Sequence, residues 1–173
     1  MDKPKVSMDD LYVDLLNLGR IFGKEEKAQV LVKGYQQDLA NFQANLTPLK
    51  TAPKVFVYDS GEEQPFTSGR YGMPTALIEA AGGKNIVDDV QKSWTQIGWE
   101  AVIDRAPELI VIVNYGDVTA EQKINFLRSN PAFQNIPAVK NNHFVVLEYV
   151  EATPGPRNIK AIKRLAEAFR TAS

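Results

Sequence analysis

Phe66, Arg70, Tyr115 and Tyr149 are the side chains of this sequence best suited to hold a ligand, because each is expected where the chain leaves a strand at its carboxyl end. Ligands of open parallel sheets approach that edge, where loops depart and helix N-termini point free amides outward. The rule selects the segments 59–73, 114–117 and 148–158, in which Tyr71 is a further large group. Arginine contributes a permanent charge on a planar fork that bridges several oxygens of an anion, and aromatic rings wall off the apolar parts of a ligand. Trp94 follows the polar run Asp88 to Ser93 and is a candidate exposed aromatic wall. Trp99 instead opens an amphipathic stretch through Arg105 and is expected to be buried.

Catalytic arrangements find less support, and no catalytic residue, resident cofactor or metal site is assigned. Ser60 and Ser68 are loop serines outside any G-x-S-x-G elbow, and His143, the single histidine, opens a strand at the opposite edge of the sheet. With one histidine and no cysteine, a zinc site would rest on carboxylates, an uncommon ligand set. Glu62 and Glu63 are adjacent in a loop and read as a solvated turn. The run Ser68-Gly69-Arg70-Tyr71-Gly72 lacks both the P-loop lysine spacing and the dinucleotide glycine pattern, so its glycines read as turn residues.

The elements that must position these groups follow from periodicity. Apolar residues from Leu11 to Phe22, then Ala28, Leu31, Val32, Tyr35, Leu39, Phe42 and Leu46, recur at helical spacing, and Thr47-Pro48 closes the second helix. From Lys54 onward, short β-branched runs alternate with helical segments, the mark of a parallel sheet covered by helices. Strands are predicted over 54–59, 109–115 and 144–149, with the apolar second one central to the sheet. Helices are predicted over 74–81, ended by Gly82-Gly83, from a Thr119/Gln122 capping box through Leu127, and from Pro156 to about Arg170. The fold class is therefore α/β: a three-layer lobe with a mainly parallel central sheet, residues 51–173, preceded by a helical segment, residues 1–50.

Bulk composition removes several function classes. Lys and Arg total 20 against 21 for Asp and Glu, so no positive excess exists to hold nucleic acid or an anionic membrane. The absence of cysteine removes disulfides and thiol chemistry together. Apolar runs such as Leu109 to Val113 fall far short of the roughly 20 residues of a membrane helix. The start, Met1-Asp2-Lys3-Pro4-Lys5, lacks the apolar stretch of a secretory signal, which leaves a cytosolic chain, a processed chain or a fragment of a longer one.

Several segments, in this order, resemble the class III periplasmic binding proteins, which serve iron-siderophore, haem and vitamin B12 importers. They are Leu18-Gly19-Arg20-Ile21-Phe22-Gly23, Pro65 to Arg70, Ala81-Gly82-Gly83-Lys84-Asn85-Ile86, Trp94 with Trp99-Glu100, Arg105 to Ile112, and Pro154-Gly155-Pro156-Arg157-Asn158. The resemblance spans nearly the whole chain and implies the C-terminal lobe of a two-lobed protein, with the end of an inter-lobe connecting helix before it and an N-terminal lobe as its partner. It implies a fragment located in the periplasm or on the outer face of the cytoplasmic membrane. It also implies that Phe66 and Trp94 stand against the ligand, that Tyr149 faces the cleft, and that Glu100 docks onto an arginine pocket of an ABC permease. An iron-siderophore chelate, oxygen-rich and often anionic, is the ligand that best suits Arg70. Haem, which asks for an axial tyrosine such as Tyr71, Tyr115 or Tyr149, and vitamin B12, which needs mainly aromatic walls, stay open. A stand-alone flavodoxin-like domain binding a nucleotide or flavin is the competing class.

Overall fold

The computed structural model describes residues 5–172; residues 1–4, part of the stretch read as lacking a secretory signal, and residue 173 lie outside the described residues. The chain begins with a helical pair, α1 (Met8–Ile21) and α2 (Glu25–Ala44). It continues through β1 (Lys54–Tyr58), β2 (Phe66–Ser68), α3 (Met73–Ala80), β3 (Lys84–Asn85), β4 (Trp94–Gln96) and α4 (Trp99–Arg105). The last part comprises β5 (Leu109–Asn114), α5 (Ala120–Ser129), a 3-10 turn (Pro131–Phe133), α6 (Pro137–Lys140), β6 (Phe144–Glu148), α7 (Tyr149–Ala152) and α8 (Asn158–Thr171).

Four strands form one parallel sheet in the order β3-β1-β5-β6. Because side chains alternate across a strand, this sheet has two buried faces. Val55, Val57, Leu109, Val111, Val113, Val145 and Leu147 pack with residues of α1, α2, α3 and α8. Phe56, Tyr58, Ile110 and Ile112 pack with residues of α4, α5 and α6. Burial on both faces accounts for the unbroken apolar run of β5, where each fully buried Val or Ile contributes about 1.5–3 kcal/mol. The central position expected for that strand is the one observed.

The helical pair shares a core with the sheet rather than standing apart from it. Met8, Leu11, Tyr12, Val32 and Leu39 belong to the same apolar cluster as the β-strand valines. The two helices cross closely at Gly19, where a Cβ would lie 2.4 Å from that of Ala28. Helix ends follow the expected chemistry. Gln122 N–H donates to Thr119 Oγ1 (3.2 Å) and Thr119 N–H to Gln122 Oε1 (2.8 Å), closing the capping box of α5. α3 ends on Gly82, whose φ of +94° any other residue would strain to adopt.

β1 and β5 each end one residue before the expected position and α3 lies one residue earlier, and two further boundaries differ for visible reasons. β6 stops at Glu148, because Glu148 N–H donates to Glu151 Oε2 (2.9 Å) and opens the single turn of α7, which takes Tyr149 out of the strand. α8 begins at Asn158, not Pro156, because the buried Asn158 amide accepts from Gly155 N–H (2.8 Å) and donates to the carbonyls of Glu151 and Thr153 (both 2.9 Å). Residues 153–157 are thereby folded into a turn before the helix starts.

Candidate ligand-binding edge

β1 ends against a loop that returns on itself. Asp59 N–H donates to Phe66 O (3.0 Å) and Phe66 N–H to Ser60 O (2.8 Å), which launches β2 beside the end of β1. β2 then pairs antiparallel with β4, matching Phe66 to Gln96 and Ser68 to Trp94. That register makes Phe66 and Trp94 diagonal neighbours on one face of the ribbon, a separation that aromatic rings bridge. Their rings stack at 5.6 Å and 15°. Trp94 is thus half-buried against Phe66 and the core, a more enclosed place than the exposed wall expected from its polar surroundings.

The glycine run that follows is a seat for Arg70. Gly69, Arg70 and Tyr71 donate their amides to the carbonyls of Ser93 (3.1 Å), Val90 (2.9 Å) and Lys92 (3.1 Å). A Cβ on Gly72 would lie 2.1 Å from Ser68 Oγ and 2.5 Å from Ser93 O, so close approach, not an unusual φ, demands glycine there. Beneath the loop lies a buried polar network. Asn85 Nδ2 donates to Ser68 O (2.8 Å) and Thr75 Oγ1 (2.7 Å), and Thr75 Oγ1 donates to Gly69 O (2.7 Å). With its first three amides committed to protein carbonyls, the loop has no cradle of free N–H groups for a phosphate. The Arg70 side chain is half-exposed and has no hydrogen-bond or ion-pair partner among the described residues.

Tyr115 and Tyr149 come together across β5 and β6. Those strands pair in parallel with Asn114 opposite Glu148, so the next residue of each emerges at the same end of the sheet. The two rings stack at 4.6 Å and 25°, and each remains about half exposed (53% and 47%). Asn114 Nδ2 donates to Glu148 Oε2 (3.0 Å), and its Oδ1 accepts from Ala120 N–H (3.2 Å). Behind Tyr149, Arg164 forms a two-pronged pair with Glu151 (both contacts 2.9 Å) and donates to Val146 O (2.9 Å).

Between the β1 and β5 loops lies a cavity of about 150 Å³ lined by Tyr58, Ser60, Glu62, Tyr115, Asp117 and Lys123, among others. Lys123 is a group that the sequence reading passed over, since its position on an amphipathic helix reads as solvated. Burial lowers its pKa, an effect that the nearby Asp59 carboxylate opposes. Burial raises the pKa of Asp59, against the pull of a hydrogen bond from Ser60 and the charge of Lys123. Burial, with the charges of Glu62 and Asp59, pushes the Tyr58 phenol up to about 12.

Glu100 is exposed on the first turn of α4 and has no ion-pair partner among the described residues. α4 is anchored by Trp99, which is buried against Phe56, Tyr58, Phe126 and Phe133 and donates its indole N–H to Glu62 O (2.7 Å). A carboxylate there is favoured by the helix N-terminus and free to accept a two-pronged arginine contact. His143 lies at the other end of the sheet, where its Nδ1 is 3.2 Å from Glu108 O, far in topology from Ser60 and Ser68. Among the described residues, no three His, Cys, Asp or Glu side chains gather to hold a metal ion.

This arrangement has known counterparts. The sequence pattern of the family described as Periplasmic binding protein matches residues 2–150. The chain belongs to that family. Its periplasmic binding protein relatives include an uncharacterized ABC transporter substrate-binding lipoprotein, YvrC, of Bacillus subtilis, 26% identical over 94% of this chain and 51% of the relative. A cobalamin-binding protein of Halobacterium salinarum is 27% identical over 94% of this chain and 44% of its own length. Among solved structures, a periplasmic binding protein from Veillonella parvula superimposes with a TM-score of 0.86 at 36% identity, over 94% of this chain and 57% of that one. The chain therefore spans about half the length of the curated relatives it matches. The three-layer parallel lobe with its helical lead is the architecture that this structure shares with it.

Proposed function

We propose that this chain is the C-terminal ligand-holding lobe of a solute-binding protein that delivers a metal complex, in the first place an iron-siderophore chelate, to an ABC importer outside the cytoplasmic membrane. The observation that carries this reading is the Arg70 guanidinium. It has no partner among the described residues, yet it stands on a loop whose amides are committed and whose base is a buried network. A charge mounted so firmly without a partner suits an oxygen-rich anion, and the stacked Phe66–Trp94 pair beside it suits the apolar body of the same ligand. Tyr115 and Tyr149 extend that wall along the sheet edge.

Half of the binding device is assigned to a companion lobe, because the relatives are about twice as long as the region matched. Leu18, Ile21, Phe22, Val30 and Leu31 are exposed apolar groups around the turn between α1 and α2, and we assign that face as its seat. Glu100, rigidly mounted and unpaired among the described residues, is assigned to the permease contact.

A second reading is a corrinoid. The relative from Halobacterium salinarum is named for cobalamin, and four rings in two stacked pairs give the aromatic walls a corrinoid needs. Titration of the full-length protein with a ferric trihydroxamate, haemin and cyanocobalamin, followed by tryptophan fluorescence, separates the readings. The expected result is quenching by the ferric chelate, weakened at least about tenfold in Arg70→Ala; quenching by cyanocobalamin alone, unchanged in Arg70→Ala, selects the corrinoid. No response to any of the three overturns the function. In the same preparation, Glu100→Ala is expected to keep affinity while lowering uptake through the permease, and equal uptake removes its role.

A further inference from the structure

Lys123 is the one lysine or arginine buried among the described residues, at 2% exposure. Closing α5 onto β5 does not need a charge, since a leucine would fill the same space without the cost of removing an ammonium from water. What the ammonium does is specific. Nζ donates to Val113 O (2.7 Å) and to Tyr115 O (3.0 Å), the two carbonyls on either side of Asn114. Asn114 itself is held by Ala120 N–H and by the Glu148 carboxylate. The carbonyls of Val113 and Tyr115 and the side chain of Asn114 between them are therefore all held, although the loop continues into Gly116 at a φ of +80° and is exposed from Tyr115 to Thr119. The Tyr115 ring is about half exposed and stacks on Tyr149, so its place depends chiefly on how its own backbone is held.

We propose that Lys123 is a positioning residue for ligand binding: by clamping the carbonyls of Val113 and Tyr115 it fixes the Tyr115 ring against Tyr149 on the ligand-facing edge. The proposal rests on the reading of that edge as the binding surface. It assigns to a side chain that touches no ligand the geometry of one that does, and it explains why a charge is retained at a buried site. Asp59 is the carboxylate whose charge acts on this ammonium, and Glu62 and Asp117 line the cavity with it.

Two measurements test it. The first needs no ligand. In Lys123→Met, amide hydrogen exchange at Thr119 and Ala120, whose N–H groups donate to Gln122 Oε1 and Asn114 Oδ1 at the end of this loop, is expected to quicken about tenfold or more, while β1 and β5 amides exchange as in the wild type. Lys123→Gln, which keeps a donor without the charge, is expected to fall between and stands in if the methionine variant does not fold. Unchanged exchange in the loop overturns the clamp. The second uses whichever of the ferric trihydroxamate, haemin and cyanocobalamin binds the full-length wild type. Lys123→Met and Tyr115→Ala are expected to weaken it by similar factors, and the double variant no further than Tyr115→Ala alone. Independent, multiplying losses overturn the positioning role, since a general loss of stability would not be absorbed by removing one ring. If none of the probes binds the wild type, the binding reading fails by itself, and the exchange measurement still decides the clamp.

Discussion

Phe66 and Trp94 stack within a two-stranded ladder whose adjoining loop sits on a buried polar network, whereas Tyr115 and Tyr149 stack between a loop and the first turn of α7, each held at its base by charged groups. The first pair is half-buried and built into the core; the second is about half exposed and stands on top of it. Ring stacking itself is worth about 0.5–1.5 kcal/mol in either place, so the difference lies in what each pair is attached to. One wall is tied to the stability of the fold as well as to the proposed binding edge. The other is tied to that proposed edge alone.

The largest effect expected from this contrast is at Asn85. Asn85→Leu removes the donors to Ser68 O and Thr75 Oγ1 and the acceptor for Val87 N–H, leaving buried polar groups unpaired under the Arg70 loop. A loss of about 3 kcal/mol is expected in chemical denaturation at neutral pH, and a loss below about 1 kcal/mol would mean that the network is not what seats the first wall. Next come the rings themselves. Trp94→Ala is expected to cost about 2 kcal/mol, and Tyr115→Ala no more than about 0.5 kcal/mol; equal losses would erase the distinction between the walls.

The smallest effect appears only in alkali. Tyr58 has a folded-state pKa of about 12 against an ordinary value of 10.0. Below pH 10 both states keep the proton, so the contribution of Tyr58 is fully present. Between the two values the unfolded chain loses its proton first, and stability falls as pH rises. Urea midpoints at pH 9 and pH 11 are expected to decline more for the wild type than for Tyr58→Phe. Identical declines would place the phenol in a wetter setting than the aromatic cluster gives it.

Much of this molecule was legible in the sequence because its long elements repeat a simple physical pattern. β5 declared itself by an apolar run that only burial on both faces explains, and α5 by a capping box that the structure closes. The α2 spacing at Val32, Tyr35, Leu39 and Phe42 marked the face that packs inward. The β2–β4 ribbon was not legible, since three-residue strands carry no periodicity and their register depends on partners nearly thirty residues away. Consequently Phe66 and Trp94 were both singled out while their stacking was not. Lys123 was hidden for another reason. A lysine on an amphipathic helix reads as solvated, and only the end of β5 supplies the carbonyls that make its burial tolerable. The Glu151–Arg164 pair was likewise invisible, lying thirteen residues apart on two helices that a turn brings together.

That pair has a bearing on the solubility of the lobe. β6 is an outer strand of the sheet, and Ile110 N–H, which donates to His143 O, sets the phase of its peptide groups: those of 143, 145 and 147 turn toward β5, and those of 144, 146 and 148 turn outward. On the outward side, Val146 O is taken by Arg164 and Glu148 N–H by Glu151. The opposite border, β3, is only two residues long and begins with Lys84. A sheet with one rim partly occupied and the other too short to template offers a stray strand less to add itself to, a guard against fibre-like self-association.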